Sequence, residues 1–278
     1  MTETLTNKKW TLGARPETSV SREHFKFETE IVRPLADGEF LVKNQYIAFE
    51  PAQRGWLNDV RSYLPPVAIG EVMRSGAAGE IIASKHSDYQ VGELVQGSFG
   101  WQEYAISDGT GLFPVTKIPA GIPMSYPLHI FGLTGLTAYF GLLDLGLPKA
   151  GETVLISGAA GATGSTVGQI AKLLGCRVIG IAGGQAKCQW LIDELGYDAV
   201  IDYKSDSVEQ QLQEVCKNSI DLFFDNVGGE ILDHALVNMA NNGRIVLCGG
   251  ISSGYQVKEL PPGPKNYMQL VIRRCHME

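Results

Sequence analysis

The chain has 278 residues, of which 44% are hydrophobic and 19% are charged. This composition is typical of a folded globular protein and excludes a disordered or fibrous chain. Its 23 Lys and Arg residues against 30 Asp and Glu residues give a net charge of −7, which disfavours binding to nucleic acid or to an anionic membrane.

The cellular setting is predicted from three features of the sequence. No apolar run approaches the roughly 18–20 residues that span a bilayer, and the first ten residues are too polar for a secretory signal peptide. The five cysteines are scattered and show neither CxxC spacing nor a disulfide framework. These features predict a cytoplasmic protein.

The first part of the chain contains short β-rich segments separated by Gly and Pro turns. We predict strands over residues 40–47, 70–73, 79–83 and 101–106. Closely spaced short strands with such turns indicate a small barrel or two packed sheets.

The periodicity changes after about residue 125. A long apolar segment, 128–145, predicts a helix that is buried on most sides, and strands then alternate with helices. The predicted strands cover residues 153–157, 177–182, 199–202, 220–225 and 244–249. The predicted helices cover about 163–174, 185–195, 206–217 and 229–240. Such alternation, with continuous apolar strands, indicates an α/β domain with a doubly wound parallel sheet. We therefore predict two domains, 1–120 and 121–278.

A glycine-rich turn follows the first strand of the second domain. Gly158, Gly161 and Gly164 lie between this strand and its helix, where glycine permits a sharp turn and close approach of a ligand. The helix N-terminus offers unpaired N–H groups to a pyrophosphate. The turn therefore predicts a dinucleotide-binding site. A Walker A site is excluded because no Lys follows Gly164.

Three later segments indicate which dinucleotide is bound. Sites that prefer NAD carry Asp or Glu at the end of the second strand, but residues 182–187 read AGGQAK. Lys187 can instead pair with the 2′-phosphate of NADP, so we predict NADP(H) as the cofactor. DNVGGE at 225–230 and CGGI at 248–251 end two further strands. Asn226 is predicted to bond a ribose or the nicotinamide there.

Taken in order, these motifs resemble those of the medium-chain dehydrogenase/reductase superfamily. The matching segments are QYIAFEPAQRG at 45–55, GEVM at 70–73, SGAAGATG at 157–164, DYK at 202–204, FDNVGGE at 224–230 and LCGGI at 247–251. Within the superfamily, the chain resembles the zinc-independent, NADP-dependent double-bond reductases, which include prostaglandin, alkenal and curcumin reductases. The resemblance implies an N-terminal GroES-like β-barrel domain and a C-terminal Rossmann domain.

The resemblance also implies roles for individual residues. Four residues of the glycine-rich turn are assigned to the pyrophosphate: Gly161, Ala162, Thr163 and Gly164. The other cofactor contacts are Lys187 and Tyr203 at the adenosine 2′-phosphate, Asn226, and Cys248, Gly249, Gly250, Ile251 and Tyr255 on the nicotinamide side. The residues that face the substrate are Tyr46, Tyr63 and Trp101.

The resemblance further implies a homodimer and additional chain after Glu278. Relatives continue with an apolar strand that begins Gly-Phe and then with several dozen residues. We therefore expect the Rossmann domain to be truncated at its C-terminus, with consequences for stability, dimerisation and activity.

Zinc, which other members of the superfamily use, is not predicted. Catalytic zinc needs three well-placed protein ligands. Glu71 lies where the zinc-dependent members carry Gly-His-Glu, and no cysteine precedes Cys176. The Tyr-x-x-x-Lys pair of short-chain reductases is absent as well.

The predicted reaction is NADPH-dependent reduction of the carbon–carbon double bond of an α,β-unsaturated aldehyde or ketone. Hydride transfer to the β-carbon leaves negative charge on the carbonyl oxygen, which a hydroxyl donor stabilises. Tyr63 and Tyr255 are the candidate catalytic residues. Two alternatives stay open: an NADPH:quinone oxidoreductase on the same fold, and a non-catalytic NADPH-binding protein or inactive fragment. The sequence does not indicate the physiological substrate.

Overall fold

The computed structural model describes residues 5–111, 113–253 and 262–278. The chain divides into two units, Met1–Gly132 and Leu133–Glu278, which we call unit 1 and unit 2. Each unit is built around its own β-sheet. No helix in the described part of the chain is long and apolar enough to cross a membrane.

Unit 1 is made of antiparallel strands. They are β1 (Thr6–Leu12), β2 (Phe25–Ile31), β3 (Phe40–Ile47), β4 (Ala77–Ser84), β5 (Leu94–Gly97), β6 (Tyr104–Ser107) and β7 (Thr116–Lys117). The first two strands form a hairpin, and the other five form a sheet in the order β6-β3-β4-β5-β7. A short helix, α1 (Ala52–Trp56), follows β3. Fully buried side chains that include Phe40, Ile81 and Val95 form the core of the sheet.

The predicted strand over 70–73 is wrong. Within this segment only Val72 pairs, through an isolated bridge to Thr11. The backbone of Gly70 adopts a φ of 87°, which interrupts an extended conformation.

Unit 2 contains a six-stranded parallel sheet with the order β10-β9-β8-β11-β12-β13. Its strands are β8 (Thr153–Ser157), β9 (Arg177–Ala182), β10 (Ala199–Asp202), β11 (Ile220–Asp225), β12 (Met239–Leu247) and β13 (His276–Met277). The helices are α2 (Leu133–Phe140), α3 (Ala162–Leu173), α4 (Gln185–Asp193), α5 (Val208–Cys216), α6 (Gly229–Asn238) and α7 (Met268–Ile272). The sequence analysis did not predict β13, because two residues carry no periodicity.

Two apolar clusters cover the two faces of the parallel sheet. Val154 and Ile156 of β8 belong to the cluster that includes residues of α3, whereas Leu155 belongs to the cluster with residues of α5 and α6. Successive strand residues point to opposite faces, so both faces of the sheet are buried. This confirms the predicted α/β architecture with an antiparallel N-terminal domain and a doubly wound C-terminal sheet.

The strand order also predicts where a ligand binds. The chain builds the sheet outward from β8, first through β9 and β10 on one side and then through β11 on the other. Ligands of open α/β sheets bind at the carboxyl ends of the strands where the direction of this order reverses. The reversal lies between β8 and β11.

The helix predicted over 128–145 begins later and is only partly buried. It consists of α2 and a following π-helical segment, Gly141–Gly146. One face packs closely on the sheet, because Gly141 leaves room for the ring of Phe224. The opposite face leaves Leu136, Tyr139 and Phe140 about half exposed. The expectation of burial on most sides is therefore wrong.

Candidate functional site

The glycine-rich turn joins β8 to α3 at the reversal point of the sheet. Gly158 has a φ of 59°, and the backbone N–H of Gly161 donates to its carbonyl oxygen over 2.9 Å. A Cβ at Gly164 would collide with the same oxygen and with Ala159. Glycine is therefore required at 158 by conformation and at 164 by close packing.

The first turn of α3 is open at its N-terminus. Gly161 is the N-cap residue and, having no side chain, accepts no hydrogen bond from the N–H groups of this turn through a side chain. Gly161 and Ala162 are exposed, Thr163 is half-buried and Gly164 is buried. The backbone N–H groups after Gly161 therefore form a suitable site for an anion, helped by the positive end of the helix dipole.

A buried hydrogen-bond network ties the end of β8 to the end of β11. The Ser157 hydroxyl donates to Oδ1 of Asp225 over 2.7 Å and accepts the backbone N–H of Asn226 over 2.8 Å. Oδ1 of Asp225 also accepts the N–H groups of Val227 and Gly228, each over 3.0 Å. Both Ser157 and Asp225 are fully buried, so the network holds the two strand ends in one geometry.

Among the described residues, the side-chain amide of Asn226 forms a hydrogen bond through its nitrogen and none through its oxygen. Its Nδ2 donates to the carbonyl oxygen of Ser157 over 2.7 Å. Its Oδ1 has no hydrogen-bond partner among the residues that the structure describes. A half-buried acceptor beside Gly158 is therefore available to a ligand's hydroxyl or amide N–H.

The end of β12 reaches the same edge. The N–H groups of Cys248 and Gly249 both donate to the carbonyl oxygen of Asp225, over 2.8 and 3.0 Å. A Cβ at Gly249 would lie 2.9 Å from the carbonyl oxygen of Asn226. Burial, with a smaller contribution from the Asp225 carboxylate, raises the pKa of the Cys248 thiol to about 11. Cys248 is therefore a neutral thiol at physiological pH.

The structure thus brings Gly161–Gly164, Asn226 and Cys248–Gly249 to one edge of the sheet. Gly250 and Ile251 follow directly and are exposed. The predicted catalytic residue Tyr255 lies outside the described residues.

The two residues predicted at the adenosine end lie beside the loop after β9. The Tyr203 ring lies over Gly183, since a Cβ there would approach the ring to 2.5 Å. Lys187 lies in the first turn of α4 and is exposed. Sequence reasoning included Asp202 in a matching motif but gave it no role; its Oδ1 accepts the N–H of Gly184 over 2.8 Å and that of Lys204 over 2.9 Å.

The predicted substrate residues of unit 1 do not form one pocket. Trp101 lies between Phe25 and Phe49, with ring centroids 5.2 Å apart in each pair. It lines an aromatic groove of about 720 Å³, which neither Tyr46 nor Tyr63 lines. Tyr46 is half exposed, and Tyr63 is 75% exposed. Sequence reasoning missed the contributions of Phe25 and Phe49 to this groove.

The described part of the chain also bears on whether a metal ion could be bound. No cluster of three His, Cys, Asp or Glu side chains able to hold a metal ion occurs there. The Glu71 carboxylate accepts the backbone N–H of Ala68 over 2.8 Å and so stabilises a turn.

Two protein families match the chain, one over each part. A family described as the N-terminal domain of oxidoreductase matches residues 8–115. A family described as zinc-binding dehydrogenase matches residues 162–277. Together the two matches cover most of the chain.

Individual relatives match most of the chain as well. The NADPH-dependent curcumin reductase of Escherichia coli is 42% identical over 258 residues, which are 93% of this chain and 74% of that protein. Prostaglandin reductase 1 of Bos taurus is 38% identical over 98% of this chain and 80% of that protein. The crystal structure of CurA from Vibrio vulnificus in complex with NADPH is 44% identical, with a TM-score of 0.88 over 98% of this chain and 81% of that chain.

Proposed function

This chain belongs to the zinc-independent, NADP-dependent double-bond reductases of the medium-chain dehydrogenase/reductase superfamily, and from that membership we propose its reaction. It is an NADP-dependent oxidoreductase. The proposed reaction reduces the carbon–carbon double bond of an α,β-unsaturated aldehyde or ketone, with hydride transferred to the β-carbon.

The convergence of three strand ends at the reversal point of the sheet supports this proposal. The open N-terminus of α3 is suited to a pyrophosphate, and the free Oδ1 of Asn226 is suited to a ribose hydroxyl or a carboxamide N–H. The absence of a side chain at Gly249 lets the end of β12 pack closely against the backbone of Asn226 at this edge. The residues present therefore fit a dinucleotide.

Each part of the chain has a distinct role in the proposed reaction. NADPH supplies a hydride when it is bound. The N–H groups at the start of α3 hold the pyrophosphate, and Asn226 orients the nicotinamide half. Tyr63 and Tyr255 are the proposed donors to the carbonyl oxygen on which enolate charge develops, and solvent protonates the α-carbon.

The aromatic groove of unit 1 supports a substrate that has an extended apolar part. Its walls include Trp10, Phe25, Phe49 and Trp101, and its volume lies within the range of small-molecule sites. Phe49 is 75% exposed, so contact with an apolar ligand would remove a large aromatic surface from water. Among aldehydes and ketones, we therefore propose enones with a medium-length alkyl or aryl substituent.

Turnover with a medium-chain 2-enone tests the proposed reaction. NADPH oxidation is followed at its absorbance band, and the product is identified by mass spectrometry. We expect a saturated ketone and at least about tenfold slower turnover with NADH, because NADH lacks the 2′-phosphate that Lys187 can pair with. A benzoquinone is the parallel substrate. Formation of hydroquinone with no saturated ketone from the enone would favour the quinone oxidoreductase instead.

A cofactor-binding measurement distinguishes an inactive protein from a wrong substrate. NADPH at about 100 times its dissociation constant should stabilise the fold by about 2.7 kcal/mol. A large shift in melting temperature without turnover of enone or quinone would support a non-catalytic NADPH-binding protein.

The homodimer and the cytoplasmic location stay predictions. Light scattering tests the first and cell fractionation tests the second.

A further inference from the structure

Asp202 joins the loops that follow β9 and β10. Its carboxylate is held by two backbone N–H groups, those of Gly184 and Lys204, through the same oxygen, Oδ1. These hydrogen bonds, the one from Gly184 first, lower the pKa of Asp202, so the group is a carboxylate at neutral pH. The bond to Gly184 spans 18 residues of sequence and crosses between neighbouring strands.

Residues proposed to contact the adenosine 2′-phosphate lie in one of these loops and directly after the other. Gly184 is the N-cap residue of α4 and has a φ of 95°, and Lys187 lies three residues later. On the other loop, the N–H of Tyr203 donates to the carbonyl oxygen of Ala182 over 3.1 Å, and its ring lies over Gly183. Asp202 therefore joins the loop that precedes Lys187 to the turn that contains Tyr203.

A carboxylate at this place is unexpected on electrostatic grounds alone. A carboxylate repels a 2′-phosphate. In addition, an acidic residue at the end of the neighbouring strand is typical of sites that prefer NAD. The geometry resolves the conflict, because Oδ1 faces the loop backbone and accepts two N–H groups. Their partial positive charges also offset part of its negative charge.

We propose that Asp202 is a positioning residue that creates the preference for a 2′-phosphate by clamping the Gly184 loop against the Tyr203–Lys204 turn. This inference rests on the proposed NADP-dependent function. In it, Asp202 does not touch the cofactor, and its effect passes through Lys187 and Tyr203.

Binding of two cofactor fragments tests the clamp without any turnover. Adenosine 2′,5′-bisphosphate carries the 2′-phosphate and 5′-AMP does not, and calorimetry measures the affinity of each. We expect Asp202→Ala to weaken bisphosphate binding about tenfold, with AMP binding changed by less than about twofold, since loss of charge-assisted hydrogen bonds frees the loop. Asp202→Asn should retain most of the preference, because its amide oxygen can still accept both N–H groups.

Asp198→Ala is the matched control. Asp198 also joins β9 to its neighbour, because its Oδ2 accepts the N–H of Val178 over 2.7 Å, but it lies at the opposite end of the strands. Its loss should lower stability and leave the preference for the bisphosphate unchanged. Gly183→Ala is a second test that keeps the carboxylate, and it should reduce the preference by displacing the Tyr203 ring.

The outcomes separate the clamp from the proposed function. If the unaltered protein binds both fragments equally, the NADP-dependent function is contradicted. If it prefers the bisphosphate and Asp202→Ala keeps or increases that preference, the clamp is refuted and Asp202 acts only as a repulsive charge. If Asp202→Ala and Asp202→Asn changed the preference for the bisphosphate equally, the clamp would likewise be refuted. The charge of Asp202, and not its hydrogen bonds, would then determine the preference.

Discussion

Ser157 is the residue on which the geometry at the reversal point depends. Its hydroxyl donates to a fully buried carboxylate, Asp225, and accepts the backbone N–H of Asn226. A buried polar group that loses its partner retains its desolvation cost without compensation. Asp225 keeps two backbone donors when Ser157 is lost, whereas the N–H of Asn226 loses the partner that the structure gives it.

Ser157→Ala should therefore lower the free energy of unfolding by about 2 kcal/mol, as measured by urea denaturation. It should also weaken NADPH binding, because Asn226 loses its backbone anchor. Ser205→Ala removes an exposed hydroxyl from the same unit and should change stability by less than about 0.5 kcal/mol. Equal effects of the two substitutions would show that the buried network does not hold the strand ends together.

At the scale of elements, α3 approaches the segment after α4 through a glycine. A Cβ at Gly168 would overlap the phenol of Tyr197, which is buried at 3% exposure. The Tyr197 hydroxyl donates to the carbonyl oxygen of Gly164 over 3.1 Å. The contact between α3 and the segment after α4 thus also supports the glycine-rich turn.

Gly168→Ala has two opposing effects on stability. Alanine in a helix is favoured over glycine by up to about 1 kcal/mol, but overpacking of a buried ring costs about 1–3 kcal/mol. Since the Tyr197 ring is buried, the overlap outweighs the gain in helix propensity, and we expect a net loss of about 1–2 kcal/mol in thermal or urea unfolding.

Gly55→Ala is the control for this prediction. A Cβ at Gly55 in α1 meets no atom within 4 Å, so the substitution should be neutral or slightly stabilising. Tyr197→Phe isolates the hydrogen bond to Gly164 and should cost about 1 kcal/mol. A stable Gly168→Ala variant with unchanged NADPH affinity would contradict the close contact.

At the scale of the whole molecule, the stability depends on pH through buried thiols. Burial raises the pKa of Cys216 to about 11, and burial together with Asp225 does the same for Cys248. In an unfolded chain the cysteine pKa is near 9, so these thiols begin to lose their protons near pH 9. In the folded state both thiols keep their protons to a higher pH. The stabilisation is complete below pH 9 and is lost as the pH rises toward 11.

We therefore expect the free energy of unfolding to fall between pH 9 and pH 11 in denaturation followed by circular dichroism. Cys216→Ala should reduce the slope by up to one proton, which is about 1.4 kcal/mol per pH unit. Cys275→Ala should reduce it less, because burial raises the pKa of that thiol to a smaller extent than it raises the pKa of Cys216. A free energy that stays constant or rises over this range would contradict the prediction.

The sequence by itself determined the features that depend on local pattern. The alternation of strands and helices after residue 150, the glycine-rich turn and the turns at 225–230 and 248–251 all follow from residues close together in the chain. Their order was sufficient for the family and for NADP(H), because a βα unit with these glycines can adopt few conformations. Local pattern failed where glycine breaks a strand, at Gly70, and where two residues form one, in β13.

Only the tertiary structure decided which distant side chains meet. Ser157 and Asp225 are 68 residues apart, and Gly184 and Asp202 are 18 apart. Each pair is joined because the strand order and register of the parallel sheet place their strand ends side by side. Exposure of one face of α2 likewise depends on which elements pack on it, and its apolar composition does not specify that. Short-range sequence preferences act within a few residues, whereas hydrogen bonding between strands acts across any separation in the chain.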